Sequence, residues 1–163
     1  KEFGIQPYGT ECLHVMRAEK GFIMIGDETD GTVIPQDLNM EWALSKKKED
    51  FLGKRAHLRS HMSDPLRWKL VGLKTVDPNV VIPDGAYATD GTIRENGVKN
   101  MIGRVTSTYF SPTLNRSIAM GLVKFGPNRM GEIIDFPTLE GKIIKAEICN
   151  QVFLDPEGER QNV

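Results

Sequence analysis

Two different rhythms of apolar residues divide the chain. Residues 10–20 follow a helical period: Leu13, Met16 and Lys20 share a stripe with Cys12 and Val15 beside it. Thr10 after Pro7-Tyr8-Gly9 is placed to cap the helix, and Gly21 stands where a left-handed C′ residue belongs. Phe22–Ile25 is expected to be a short buried strand, 26–35 a polar loop, and Met40–Leu44 an alternating strand. Phe51 to Met62 reads as a second helix entered through Asp50. Near Ser63-Asp64-Pro65 the rhythm changes. Strand-like runs then follow at Trp68–Val76, Ala86–Thr89, Met101–Phe110, Ser117–Val123, Glu132–Phe136 and Lys142–Cys149. Pro83-Asp84-Gly85, Asp90-Gly91, Glu95-Asn96-Gly97 and Glu140-Gly141 mark turns between them.

The expected fold class is therefore α+β: a partial α/β segment over 1–65, a small antiparallel β-barrel or sandwich over 66–155, and a polar tail at 156–163. Two helices and two or three strands are too few to close a core alone. The first segment is expected to lean on the β domain or on further sequence, as a fragment of a longer chain would.

Composition narrows the function classes. The 163 residues carry a net charge of −1 with both signs interspersed, so no global field favours nucleic acid or an anionic membrane. The longest apolar runs, Phe22–Ile25 and Val80–Ile82, are too short to span a bilayer. The opening Lys1-Glu2-Phe3-Gly4 does not have the pattern of a secretory leader. Cys12 and Cys149 sit in apolar surroundings and are expected to be buried reduced thiols. With His14, His57 and His61 scattered, the spacing offers no metal site. A cytoplasmic setting follows as the default expectation.

Arg17 is the first candidate for chemistry. A guanidinium presents five donors in a rigid fork and suits a carboxylate or a carbonyl-rich ring. The competing reading is an ion pair with Glu19, Glu28 or Asp30. Glu19, Asp27, Glu28 and Asp30 form an acidic group, but the spacing of a calcium loop is missing. Thr106-Ser107-Thr108-Tyr109 places hydroxyls on a strand without a nucleophile elbow around Ser107. Gly103, Gly121 and Gly126 do not form a phosphate-cradling loop. Trp42 and Trp68 are expected in the core. No self-sufficient catalytic constellation emerges, and no catalytic residue is assigned.

A set of ordered blocks carries a resemblance. Pro7-Tyr8-Gly9-Thr10-Glu11, His14-Val15-Met16-Arg17-Ala18-Glu19-Lys20-Gly21, Asp30-Gly31-Thr32-Val33-Ile34-Pro35, Lys46-Lys47-Lys48 followed after two residues by Phe51-Leu52-Gly53-Lys54-Arg55, Ile102-Gly103-Arg104-Val105-Thr106-Ser107 and Phe153-Leu154-Asp155-Pro156-Glu157-Gly158 resemble the C-terminal part of heterotetrameric sarcosine oxidase alpha subunits. More broadly they resemble the glycine-cleavage T-protein (aminomethyltransferase) family. Thr108 departs from that pattern, since many T-proteins have glycine there.

The resemblance implies a module that binds tetrahydrofolate, on which a one-carbon unit from oxidised sarcosine becomes 5,10-methylenetetrahydrofolate. It implies a cofactor contact for Arg17, with Glu19 orienting Arg17 or the loop. It further implies that the pterin-binding acid and catalytic aspartate lie upstream, and that FAD, FMN and NAD sit elsewhere in a hetero-oligomer with other subunits. Other folate enzymes of the superfamily remain open, as does a non-catalytic docking module. The iron–sulfur assembly branch is disfavoured, because no cysteine lies between Leu13 and Cys149.

Overall fold

The computed structural model describes residues 2–162. Six strands, β1 (Trp68–Thr75), β2 (Tyr87–Ile93), β3 (Lys99–Ser111), β4 (Arg116–Lys124), β5 (Ile133–Pro137) and β6 (Ile143–Cys149), close an antiparallel barrel in the order β1-β4-β3-β2-β5-β6. All six lie where the sequence pattern places them, except that β2 runs on through Asp90-Gly91, expected as a turn, with its pairing to β3 irregular between Thr89 and Ile93. Ahead of the barrel come helix α1 (Thr10–Glu19), one-turn 3-10 segments at Pro35–Leu38 and Glu41–Ala43, and the short helix α2 (Lys54–His57). Among the described residues, no helix is long and apolar enough to cross a membrane.

Two hydrophobic clusters form on the two faces of the sheet. Val71, Leu73, Val105, Ala119, Val123, Phe136 and Ile148 fill the barrel interior. Leu70, Ile118, Met120 and Leu122 point outward and are covered by Ala18 and Leu38 from the N-terminal segment, with Trp68, Tyr109 and Phe153 packed at the edges. That second cluster explains why β4 is buried at every position from Ser117 to Val123: a strand covered on both faces loses its apolar/polar alternation. Gly72 allows one close approach, since a Cβ there would collide with the carbonyl of Asn150 and with Phe153 Cζ at 2.9 Å.

The N-terminal segment departs from the expected elements. Phe22–Ile25 is not a strand. The amides of Asp27 and Glu28 both return to the carbonyl of Met24, and Ile25 makes only an isolated bridge to Thr29, leaving its side chain 90% exposed. Met40–Leu44 is likewise no strand. Asn39, in the left-handed region (φ 58°), spends its side-chain amide on the carbonyl of Leu70, and a 3-10 turn follows that leaves Trp42 78% exposed rather than in the core. The helix expected over Phe51–Met62 shrinks to Lys54–His57, starting after Gly53 at φ 95°.

In α1 the buried face is Arg17, Ala18 and Glu19, while Leu13 and Met16 stay substantially exposed, so the apolar stripe is not the packed side. Its N-cap is Gly9 rather than Thr10. Cys12 is exposed and Cys149 half-buried, against the expectation of two buried thiols. Residues Glu159–Gln161 form a 3-10 turn whose first amide donates to the Asp155 carboxylate at 2.9 Å.

Candidate functional site

At the junction of the N-terminal segment and the barrel lies the Glu28 carboxylate, which is fully buried. The reversal at Met24 swings this side chain inward, and the Met24 amide donates to Oε2 at 2.8 Å. Arg17 Nη1, reaching from the last turn of α1, donates to the same oxygen at 2.7 Å. Thr106 Oγ1 and Ser107 Oγ donate to Oε1 at 3.0 and 2.5 Å. Neighbouring residues of a regular strand point to opposite faces and could not both do this. The register of β3 against β4 slips between Val105 and Ser107, and this bulge turns both hydroxyls toward one carboxylate. A buried charge is tolerable only when paired and hydrogen-bonded, and here four donors meet that condition.

Arg17 spends its fork on the same network. Nη2 donates to Asp27 Oδ2 at 2.9 Å, to Ser107 Oγ at 2.5 Å and to Tyr109 Oη at 3.4 Å, and Nη1 also reaches the carbonyl of Phe22 at 3.2 Å. The guanidinium carbon lies 5.8 Å from the centre of the Tyr109 ring. Of the three acids named as possible partners, the fold selects Glu28 and adds Asp27. Glu19 does not orient Arg17: its Oε1 accepts from Ser111 Oγ at 2.5 Å, and its carbonyl accepts the amides of Phe153 and Leu154, both at 2.9 Å. Glu19 thus fastens the end of α1 to β3 and to the chain after β6.

What this network holds in place is the loop from Gly26 to Pro35, which forms one wall of a cavity of about 530 Å³. The opposite wall is the outer sheet face. Pairing aligns Leu122 with Arg104 and Arg104 with Tyr87, so these three side chains form a row across β4, β3 and β2, with Trp68 beside them. Asp30 from the loop accepts from Arg104 Nη2 at 2.8 Å. Its other oxygen takes the Thr32 hydroxyl and amide at 2.6 and 2.7 Å, and these bonds, followed by Arg104, hold the carboxyl below the usual carboxylate range. Deeper in, Arg67 grips Asp37 with Nε and Nη2 and also donates Nη2 to the carbonyl of Thr32 at 2.7 Å. That pairing raises the guanidinium pKa further.

The cavity therefore offers two aromatic surfaces and two guanidiniums, each already paired with a carboxylate, Arg104 with Asp30 and Arg67 with Asp37, and Asp64 also lines it. Such a wall can take a planar polar molecule. Arg17 and Glu19 do not line it. Among the described residues no group of His, Cys, Asp and Glu is arranged to hold a metal ion. Sequence reasoning singled out Arg17, the acidic loop and Ser107. It missed Arg67 and Arg104, whose partners lie 30 and 74 positions away, distances at which no local pattern gives a signal.

Comparison with known proteins agrees with this architecture. Residues 69–155 match the family model of the glycine cleavage T-protein C-terminal barrel domain, and residues 1–48 match that of the GCVT N-terminal domain. The chain belongs to the glycine cleavage T-protein family. It is 45% identical to the sarcosine oxidase subunit alpha of Corynebacterium sp. (strain U-96) over 99% of its own length and 17% of that protein. It is 33% identical to the aminomethyltransferase of Thermosipho melanesiensis over 90% of the chain and 37% of that protein. In structure it is similar to the glycine cleavage system aminomethyltransferase T from Bartonella henselae, with a TM-score of 0.75, 29% identity, and coverage of 91% of this chain and 39% of that one. The chain thus spans about a sixth of the sarcosine oxidase subunit it matches.

Proposed function

We propose that this chain is a tetrahydrofolate-binding, aminomethyltransferase-like module of a sarcosine oxidase alpha subunit. In this reading it serves transfer of the one-carbon unit of oxidised sarcosine to tetrahydrofolate, forming 5,10-methylenetetrahydrofolate in the cytoplasm. The observation that carries the proposal is the cavity between the Asp30–Asp37 wall and the Arg104–Tyr87 row, in a chain 45% identical to a sarcosine oxidase subunit alpha. A folate is a planar ring system with an anionic tail, and aromatic and guanidinium groups are the chemistry that such a ligand needs. Residues 1–65 are taken as part of the folate-binding domain, 66–155 as the barrel closing it, and 156–163 as a tail.

Arg17 and Glu19 serve the cofactor by position in this proposal: Arg17 through the loop it holds, Glu19 by anchoring the helix that carries Arg17. FAD, FMN and NAD belong to other parts of the hetero-oligomer. The residues described here supply no catalytic base of their own, so the isolated chain is expected to be inactive and to bind folate weakly.

The test uses the full assembly. Arg104→Ala is expected to weaken tetrahydrofolate binding in calorimetry by about tenfold, the cost of one charge-assisted contact, and Arg17→Ala, which touches no ligand, to weaken it by releasing the loop that forms the cavity wall. Methylenetetrahydrofolate formation is expected to fall in step, while sarcosine oxidation itself persists. Unchanged folate affinity and product yield in both variants would remove the proposal and favour a docking role. Stoichiometric, tight folate binding by residues 1–163 alone would remove the claim that the module is incomplete.

A further inference from the structure

A second cavity lies on the far side of Tyr87, where the barrel closes. The β2–β5 seam is held by a single pair, Thr89↔Asp135, whereas β5 and β6 pair over five positions. Extending the seam register by two residues sets Pro137 opposite Tyr87. Proline has no amide to donate, so the ladder stops there and the two strands diverge. Between them opens a cavity of about 880 Å³, within the range that encloses a small ligand. Its floor is Ala88 and Ile144 on the barrel core, and its walls include Ala86, Met101, Val98 and Leu139.

The rim does not select a charge. Lys99 and Lys142 are matched by Asp84 and Glu140, and Lys142 already pairs with Glu140 at 3.1 Å. Of the hydroxyls in the lining, that of Thr138 is spent on the carbonyl and amide of Lys142, and that of Tyr87 belongs to a half-exposed side chain. The Thr89 hydroxyl, on a residue only 5% exposed, accepts the Gly91 amide at 3.1 Å, and its own proton has no acceptor among the described residues.

We propose that the open β2–β5 seam is a binding site for a flat, uncharged, apolar small molecule carrying one hydrogen-bond acceptor, which the Thr89 hydroxyl meets. Apolar lining on both walls favours a flat ligand inserted edge-on between the strands, and the balanced rim disfavours an ion. The site is separate from the cavity assigned to folate and does not depend on that assignment.

The test is fluorescence titration of the full-length protein with Nile red, a neutral planar dye bearing a carbonyl. Saturable one-to-one binding is expected. Ala86→Trp, which fills the cavity, is expected to weaken it by about tenfold or more, and Leu139→Asp, at an exposed turn outside the barrel core, by a few-fold. Phe22→Ser, on an exposed apolar side chain of the N-terminal segment, is expected to leave it unchanged. Absence of saturable binding, binding indifferent to both cavity variants, or tighter binding of the anionic dye anilinonaphthalene sulfonate at the same site would each overturn the proposal.

Discussion

Glu28→Ala is the sharpest test of how the N-terminal segment is held to the barrel. The carboxylate is fully buried and takes four donors, from Arg17, the Met24 amide, Thr106 and Ser107. Removing it strands a buried guanidinium, which in comparable buried pairs costs about 3–5 kcal/mol. Asp27 still faces Arg17 at 2.9 Å, so the lower end applies, and the loss is set at about 3 kcal/mol. Against a domain stability of about 5–15 kcal/mol this is a large share, equivalent to a fall in melting temperature of roughly 6–12 °C.

The assay is equilibrium urea unfolding followed by tryptophan fluorescence, since Trp68 packs against the outer cluster that this junction covers. The decisive comparison is with the double variant Arg17→Met/Glu28→Leu. Replacing both members of a buried pair by apolar groups is often near neutral, so the double variant is expected to be more stable than Glu28→Ala alone. A Glu28→Ala loss below about 1 kcal/mol, or a double variant no better than the single one, would refute the view that the network is a buried, mutually dependent unit.

Two further outcomes follow from packing and burial elsewhere in the fold. Gly72→Ala is expected to destabilise by about 1–3 kcal/mol, because its Cβ meets the Asn150 carbonyl and Phe153 inside a strand paired on both edges; thermal unfolding indistinguishable from the parent would contradict the packing described. In alkylation with iodoacetamide at pH 8, exposed Cys12 is expected to react first and Cys149 slowly, because burial pushes the Cys149 thiol up to about 11 and keeps it protonated. Peptide mapping would read the order, and its rise for Cys149 above pH 10 would follow the thiolate.

The barrel was legible from residue order because its information is local. Apolar runs closed by Pro83-Asp84-Gly85, Glu95-Asn96-Gly97 and Glu140-Gly141 specify strands and turns without reference to distant contacts, whereas Asp90-Gly91, read as a turn, lies inside β2. The N-terminal segment was not, for the opposite reason. Phe22–Ile25 and Met40–Leu44 have strand-like patterns but meet no partner strand, and a strand without a ladder leaves its amides unpaired. Their main chain turns back on itself instead, at Met24 and after Asn39. Leu13 and Met16 misled in the same way, since the packed face of α1 was decided by which side chains could satisfy Ser111 and the Glu28 network.

Arg17, Glu19 and the acidic loop could be singled out as chemically loaded from residue type alone. Which acid pairs with Arg17, that Thr106 and Ser107 share one carboxylate, and that Arg104 and Tyr87 line a cavity depended on a strand bulge and on inter-strand register. Sequence by itself determined the strands, their turns and the family blocks. Tertiary structure decided the partners, because a hydrogen bond is made by groups brought within about 3 Å, and chain separations of 74 to 92 residues carry no such distance until the barrel closes.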